Sequence, residues 1–370
     1  MPKTIKLPAH ISGMPAYTPI EPFEVLSARI GRASKDIIKL DANENPYGMS
    51  PRARRALAEM EFPHIYPDPE SRALRQALAT FTGVPAEYLL PGSGADELID
   101  LSMRVTLSSG EAIINCPPTF GMYSFDGNLN AAQVIDVPRK EDFSLDVEGI
   151  LAAAGKYAPK LIFLSSPNNP DGALIPPDAL QKILELPALI VLDEAYIEFA
   201  DPAGLGRNLS QIRSVPELDN LIVLRTFSKL AGLAGLRVGY GAFPAWLMLA
   251  LWKTKQPYNV NVAGSVAAIA SMEDEAHLME TVSALVSERE RLLAGLRKFT
   301  CLRPYPTQAN FILCQVRGLD AARLKTELAE KYGIFIRYFN KPGLKDCIRV
   351  SVGKPEHTDA LLQALNQFMD

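Results

Sequence analysis

The sequence predicts an α/β protein: a large domain with a mainly parallel sheet covered by helices on both faces, a smaller α+β domain behind it, and an extended arm in front. Three observations carry this. From about residue 50 to residue 242, short apolar strand-like runs alternate with helical patterns, the order that builds a parallel sheet. Near residue 260 the texture changes to small apolar residues and then to a long charged amphipathic stretch. The chain of 370 residues is also too long for one small core.

The elements justify the three parts in order. Residues 1–39 are rich in proline and lack helical periodicity until Glu24–Ile30, so they read as an arm ending in a short helix that holds the body of the chain or a second subunit. Asp41 to Gly48, dense in Asn, Pro and Gly, reads as an ordered turn. The large domain, 40–275, has helical patterns at 51–60 and 71–81. A short strand ending near Leu90 then runs through glycines into a helix at 98–107, and strands are expected at 112–116, 133–137, 161–165, 189–193, 221–224 and 238–242. The small domain, 276–370, opens with an amphipathic helix over 277–299 whose Glu288, Arg289, Glu290 and Arg291 are expected to face outward. Strands near 310–316, 334–338 and 347–352 and helices at 320–331 and from Pro355 complete it.

Composition narrows the function. Hydrophobic residues make up 48% and charged residues 22%, an ordinary globular balance. A net charge of -4 and a pI near 5.7 argue against nucleic acid or an anionic membrane surface as the main partner. Small molecules remain. The apolar run from Ala245 to Trp252 is far too short to span a membrane and reads as a core helix. The first residues carry no apolar stretch behind their lysines, so no secretory signal is expected. Cys116, Cys301, Cys314 and Cys347 form no C-x-x-C pair and read as reduced thiols of a cytoplasmic interior. His10, His64, His277 and His357 lie far apart without ligand spacing, so no metal is expected.

Lys229 stands between two runs read as buried strands. Desolvation there disfavours its ammonium form, which suits a lysine that attacks a carbonyl to form a Schiff base. Thr226, Ser228 and Arg237 are groups that a phosphate beside that carbonyl needs. The competing reading is a surface turn whose lysine reaches water. Gly92-Ser93-Gly94 entering a helix can cradle a phosphate on backbone N–H groups. A dinucleotide fingerprint would need a third glycine where Glu97 stands, and Lys229 lies in no P-loop. Asp193, at the inner end of an apolar strand, wants a cation such as a protonated pyridine nitrogen, or else caps a helix. Tyr196 could bond a phenolate oxygen on the same ring or sit in the core with a wet hydroxyl.

In order and spacing, Asn169 before Pro170, Asp193, Tyr196, Ser228-Lys229 and Arg237 resemble the fold-type-I pyridoxal-phosphate aminotransferases, and most closely the branch of that family acting on histidinol phosphate. The motifs carrying the resemblance are Asp41 to Gly48, Tyr66-Pro67-Asp68-Pro69, Gly94-Ala95-Asp96-Glu97, Pro117 to Tyr123, Asn168-Asn169-Pro170, Leu192 to Tyr196, Thr226 to Arg237, and Ile348 to Gly353. They cover nearly the whole chain. The resemblance implies that pyridoxal 5'-phosphate is held covalently by Lys229, which also moves the proton of the reaction, with Asp193 on the pyridine nitrogen and Asn169 and Tyr196 on the ring hydroxyl. It implies that Phe120 stacks on the ring and that Gly94, Ala95, Asp96, Thr226, Ser228 and Arg237 hold the phosphate. It further implies a homodimer in which Tyr47 reaches the neighbouring subunit's cofactor. Tyr17, Asn169, Arg337 and Arg349 are the implied substrate ligands, for histidinol phosphate and for glutamate or 2-oxoglutarate, a step of histidine biosynthesis. Phe120 departs from the commoner Tyr, and Asp171 from the Thr of Asn-Pro-Thr-Gly. An aromatic amino-acid aminotransferase is the alternative within the fold, since pocket shape separates such substrates by only a few kcal/mol. A lyase on the same cofactor and a ligand-sensing regulator are the alternatives outside it.

Overall fold

A computed structural model describes residues 5–15 and 21–369, so Tyr17 lies outside the described residues. The strands, in chain order, are β1 (Ile38–Leu40), β2 (Leu89–Gly92), β3 (Ala112–Asn115), β4 (Gln133–Asp136), β5 (Leu161–Ser165), β6 (Leu189–Asp193), β7 (Leu221–Thr226), β8 (Gly239–Ala242), β9 (Leu302–Pro304), β10 (Phe311–Val316), β11 (Ile334–Tyr338) and β12 (Cys347–Ser351).

The larger sheet has seven strands in the order β2-β8-β7-β6-β5-β3-β4. From β7 to β4 all neighbours run parallel, and β8 lies antiparallel between β7 and β2. The central strands β5, β6 and β7 open with continuous apolar runs, end in polar residues, and are buried along their whole length, as strands covered by helices on both faces must be. Parallel order puts their C-terminal ends side by side, with Ser165 opposite Asp193 and Asp193 opposite Leu224. Loops leaving those ends form the site. The segment bearing Lys229 is a single helical turn, Phe227–Leu230, capped by the Thr226 side chain, which accepts the Ser228 N–H.

The smaller sheet has five strands in the order β1-β11-β12-β10-β9, antiparallel except for β1 beside β11. Strand β1 straddles residue 39, so the end of the arm is part of this sheet. Before it, Leu26 and Ile37 pack on Ala329 and Phe335. The helix Glu275–Leu296 passes from one core to the other: Leu278, Val282 and Leu285 belong to the core of the large sheet, Leu292, Leu293 and Leu296 to that of the small one. This overturns the outward reading of Glu288 and Arg289, which are 6% and 5% exposed. Two cores leave the middle of this helix little free face. Glu288 is held by Arg291, and Arg289 Nη1 donates to the carbonyls of Phe199 at 3.1 Å and Ala309 at 3.2 Å. No helix among the described residues is long and apolar enough to cross a membrane.

Candidate active site

Between the C-terminal ends of the parallel strands and the smaller sheet lies a cavity of about 660 Å³, within the range of cofactor sites. Lys229, Asp193, Tyr196, Asn169, Phe120, Ala95, Asp96, Thr226, Ser228, Arg237, Arg337 and Arg349 all line it, although the sequence scatters them over 250 positions or more. Its floor and wall are a titratable pair. Lys229 Nζ donates to the Ala42 carbonyl at 3.0 Å, and burial, helped by the Arg349 charge, draws its pKa down to about 8. Asp193 is 5% exposed. Burial pushes its carboxyl up to about 6, against the pull of two hydrogen bonds from the Tyr123 hydroxyl at 2.6 Å and the Ala195 N–H at 3.0 Å. The Ala195 N–H bond is a local turn contact, since the helical turn that follows begins at Ile197 with no side-chain cap, and Asp193 lines the cavity without an ion pair among the described residues.

One end of the cavity suits a phosphate. Gly94, with φ of 78°, starts the helix Ala95–Thr106. Its positive φ is what requires glycine, and the absent Cβ also leaves room for Arg237 Nη2, which would otherwise stand 2.6 Å from it and have to shift. Arg237 Nη2 donates to Asp96 at 2.8 Å, with both side chains half-exposed. Glu97, which breaks the dinucleotide pattern, instead accepts the Ser93 N–H at 2.5 Å and Asn259 Nδ2 at 2.8 Å, and so stiffens the loop.

The opposite end gathers cations. Arg337 and Arg349 stand directly across from each other on β11 and β12. Like charges at opposed positions of a sheet repel, which an anion between them relieves. Arg349 is buried; it donates to Asn169 Oδ1 at 2.6 Å and to the Asp41 carbonyl at 2.8 Å, while its Nε meets no acceptor among the described residues. Burial, together with the Arg337 charge, lowers its pKa to about 10.

Tyr47 does not line the cavity. Its half-buried ring lies under the Lys354 ammonium, 5.6 Å from the centroid, and burial with the Glu288 and Glu356 charges raises its phenol pKa. Sequence reasoning gave no role to Tyr123, whose ring is buried and stacked on Phe163 with centroids 5.2 Å apart while its hydroxyl holds Asp193. Its place in the Pro117 to Tyr123 motif was the available signal. The departure at Asp171 has a local meaning: its buried carboxylate accepts from the Ala173 N–H and from Asn168 Nδ2, and Asn168 in turn binds Thr119 Oγ1 at 2.8 Å and the Pro118 carbonyl at 3.1 Å. The loop before Asn169 is thereby tied to the loop carrying Phe120.

Comparison with known proteins adds three findings. The chain matches the family model described as aminotransferase class I and II over residues 35–365. It is 57% identical over 360 residues to a chloroplastic histidinol-phosphate aminotransferase of Arabidopsis thaliana, covering 97% of this chain and 85% of the relative, and 50% identical over 365 residues to a histidinol-phosphate aminotransferase of Roseiflexus castenholzii, covering 96% of each. The crystal structure of histidinol-phosphate aminotransferase from Sinorhizobium meliloti in complex with pyridoxal-5'-phosphate superposes with a TM-score of 0.89 at 29% identity, over 99% of this chain and 98% of that one.

Proposed function

The chain belongs to the class I and II aminotransferases, and from that premise we propose that it transfers the amino group between L-histidinol phosphate and 2-oxoglutarate, giving imidazole acetol phosphate and L-glutamate in histidine biosynthesis. It is a pyridoxal-phosphate enzyme. The residues present fit that cofactor: a buried carboxylate lacking a cation, a lysine of lowered pKa, and a glycine-guanidinium cradle at a helix N-terminus stand around one cavity. Bound there, pyridoxal phosphate supplies an electron sink for the pair left on the donor's α-carbon.

The residues divide the remaining work. Lys229 Nζ, neutral in a sizeable fraction near pH 8, takes the proton from the α-carbon. Asp193 keeps a proton on the pyridine nitrogen, and Asn169 and Tyr196 donate to the ring oxygen. Phe120 offers a flat apolar wall. Ala95, Asp96 and Gly94 through their backbone, with Thr226, Ser228 and Arg237, hold the cofactor's phosphate. Arg337 and Arg349 take the donor's phosphate in one half-reaction and glutamate's carboxylate in the other. Their opposition across β11 and β12 is the observation that carries the substrate reading, since a doubly charged anion suits it best. Tyr17 would add a contact from the arm.

The working form we infer is a homodimer. Phe62, Ile65 and Tyr66 are 60%, 55% and 79% exposed, and Tyr66 stacks on the exposed Tyr258 with centroids 4.7 Å apart, an apolar group that a second subunit would cover. Tyr66 is better presented than Tyr47 to reach a neighbouring site. We read 1–39 as arm, 40–275 as large domain and 276–370 as small domain, supported by the separate cores of the two sheets. Cys116, Cys314 and Cys347 are buried and form no disulfide, which fits the reducing cytoplasm.

The test is a half-reaction followed by the absorbance of the bound cofactor. Mixed separately with histidinol phosphate, glutamate and phenylalanine, the loaded protein converts quickly with the first two and slowly with the third. Preferential conversion by phenylalanine would move the assignment to an aromatic aminotransferase.

A further inference from the structure

Strand β12 reaches the site twice on one face. Arg349 holds Asn169, and two residues on, Ser351 Oγ donates to Asn43 Oδ1 at 2.9 Å and accepts the Asn43 backbone N–H at 2.8 Å. Asn43 Nδ2 donates to the Tyr196 hydroxyl oxygen at 3.1 Å, and Asn310 Nδ2 donates to the Asn43 carbonyl at 3.0 Å. Asn43 and Ser351 are 1% and 2% exposed. Both side chains expected on the ring oxygen are therefore tied to β12, Asn169 directly and Tyr196 through Asn43.

The chemistry of the second link is directional. Ser351, which already accepts an N–H, turns its hydrogen to Asn43 Oδ1, and this fixes the amide so that Nδ2 faces the phenol. A phenol oxygen that accepts from Nδ2 keeps its own hydrogen to donate, and Tyr196 lines the cavity. The ring cannot swing away, because Phe311 meets it edge-on at 5.0 Å. Asn43 does this from a left-handed backbone, φ 56°, which asparagine tolerates better than most residues.

We propose that Asn43, fixed by Ser351, is a positioning residue for the amino transfer: it holds the Tyr196 hydroxyl as a donor into the cavity, independently of what Arg349 does when substrate arrives. The proposal rests on the reading of Tyr196 as a cofactor ligand.

A double-mutant cycle on the loaded enzyme tests it. Asn43→Gly keeps the left-handed backbone and the N–H to Ser351 and removes only the amide. Tyr196→Phe removes the hydroxyl. The readouts are the pH midpoint of the bound cofactor's absorption, the cofactor dissociation constant from fluorescence, and kcat with KM. A ring oxygen that loses a donor becomes more basic, so Asn43→Gly moves the midpoint up by about half a pH unit and lowers kcat several-fold with little change in KM, and Tyr196→Phe moves the midpoint by about one unit. The double variant matches Tyr196→Phe alone. Ser351→Ala, which leaves Asn43 in place but lets its amide turn, shifts the midpoint in the same direction by less. An unmoved midpoint in Asn43→Gly, or additive shifts in the double variant, overturns the relay while leaving Tyr196 as a ligand. Wild-type values in Tyr196→Phe overturn the assignment of Tyr196 itself, and the relay with it.

Discussion

Asp193 and Glu198 lie five residues apart at and just beyond the end of β6, both buried, in opposite surroundings. Glu198 meets the guanidinium of Arg225, itself 1% exposed, which also donates to the Leu205 carbonyl at 3.1 Å. Asp193 has only a phenol and a backbone N–H. A buried charge matched within the chain is part of the scaffold, since removing its partner leaves an uncompensated ion. A buried charge left unmatched at the wall of a cavity costs folding free energy and is explained by a cationic ligand.

Substitutions sharpen or break that contrast. The largest effect belongs to the lysine that lines the same cavity: Lys229→Ala should cut turnover on the order of 10⁴-fold with little change in melting temperature, as a steady-state assay beside a thermal melt would show. On the scaffold side, Arg225→Met should cost about 3–5 kcal/mol in denaturant unfolding, and the double change with Glu198→Leu much less. A small loss in the single variant would remove the contrast. Asp193→Asn should lower kcat roughly 10²- to 10³-fold, a loss of about 3–4 kcal/mol, while the cofactor-free protein loses no stability and gains some near pH 7, where the buried carboxylate is charged. A structural cap would show the reverse.

The pH dependence of the cofactor-free protein reports on the unmatched carboxylate. The folded-state pKa of Asp193, about 6, lies above its unfolded value near 3.8. Between those values the native state binds more protons than the unfolded one, so stability falls as pH rises from about 4 to 6, by about 3 kcal/mol from this group. Glu194 and Asp126, both pushed up to about 7 by burial, slope the same way. The Asp193 share is the difference between wild type and Asp193→Asn in unfolding titrations. The smallest effect is that of Tyr123→Phe. Removing the hydroxyl raises the Asp193 pKa further and should lower kcat about tenfold, with the acid limb of the pH profile moved upward.

Much of this site was legible in the sequence, for a reason visible in particular residues. Lys229 and Asp193 stood out because each is a charge next to a continuous apolar strand, and such a conflict is local. Arg349 entered through its motif and Arg337 through the family resemblance, but nothing in either strand states that they oppose each other. Tyr123 reads as an ordinary core aromatic, and its partner lies 70 residues away. Glu288 and Arg289 misled, because a helix packed between two cores carries its buried polar groups where a surface helix carries its free ones.

What the sequence determined by itself is periodic or local: the alternation of strands and helices, the change of texture near residue 260, the glycine loop, and the lysine between two strands. Hydrophobic burial is non-directional, and its pattern is written along the chain. What only the tertiary structure decided is directional and distant: Asn43 against Ser351 across 308 positions, Arg349 against Asn169 across 180, and Tyr123 under Asp193. A hydrogen bond depends on angle and on tenths of an ångström, and those are set only when separate elements dock.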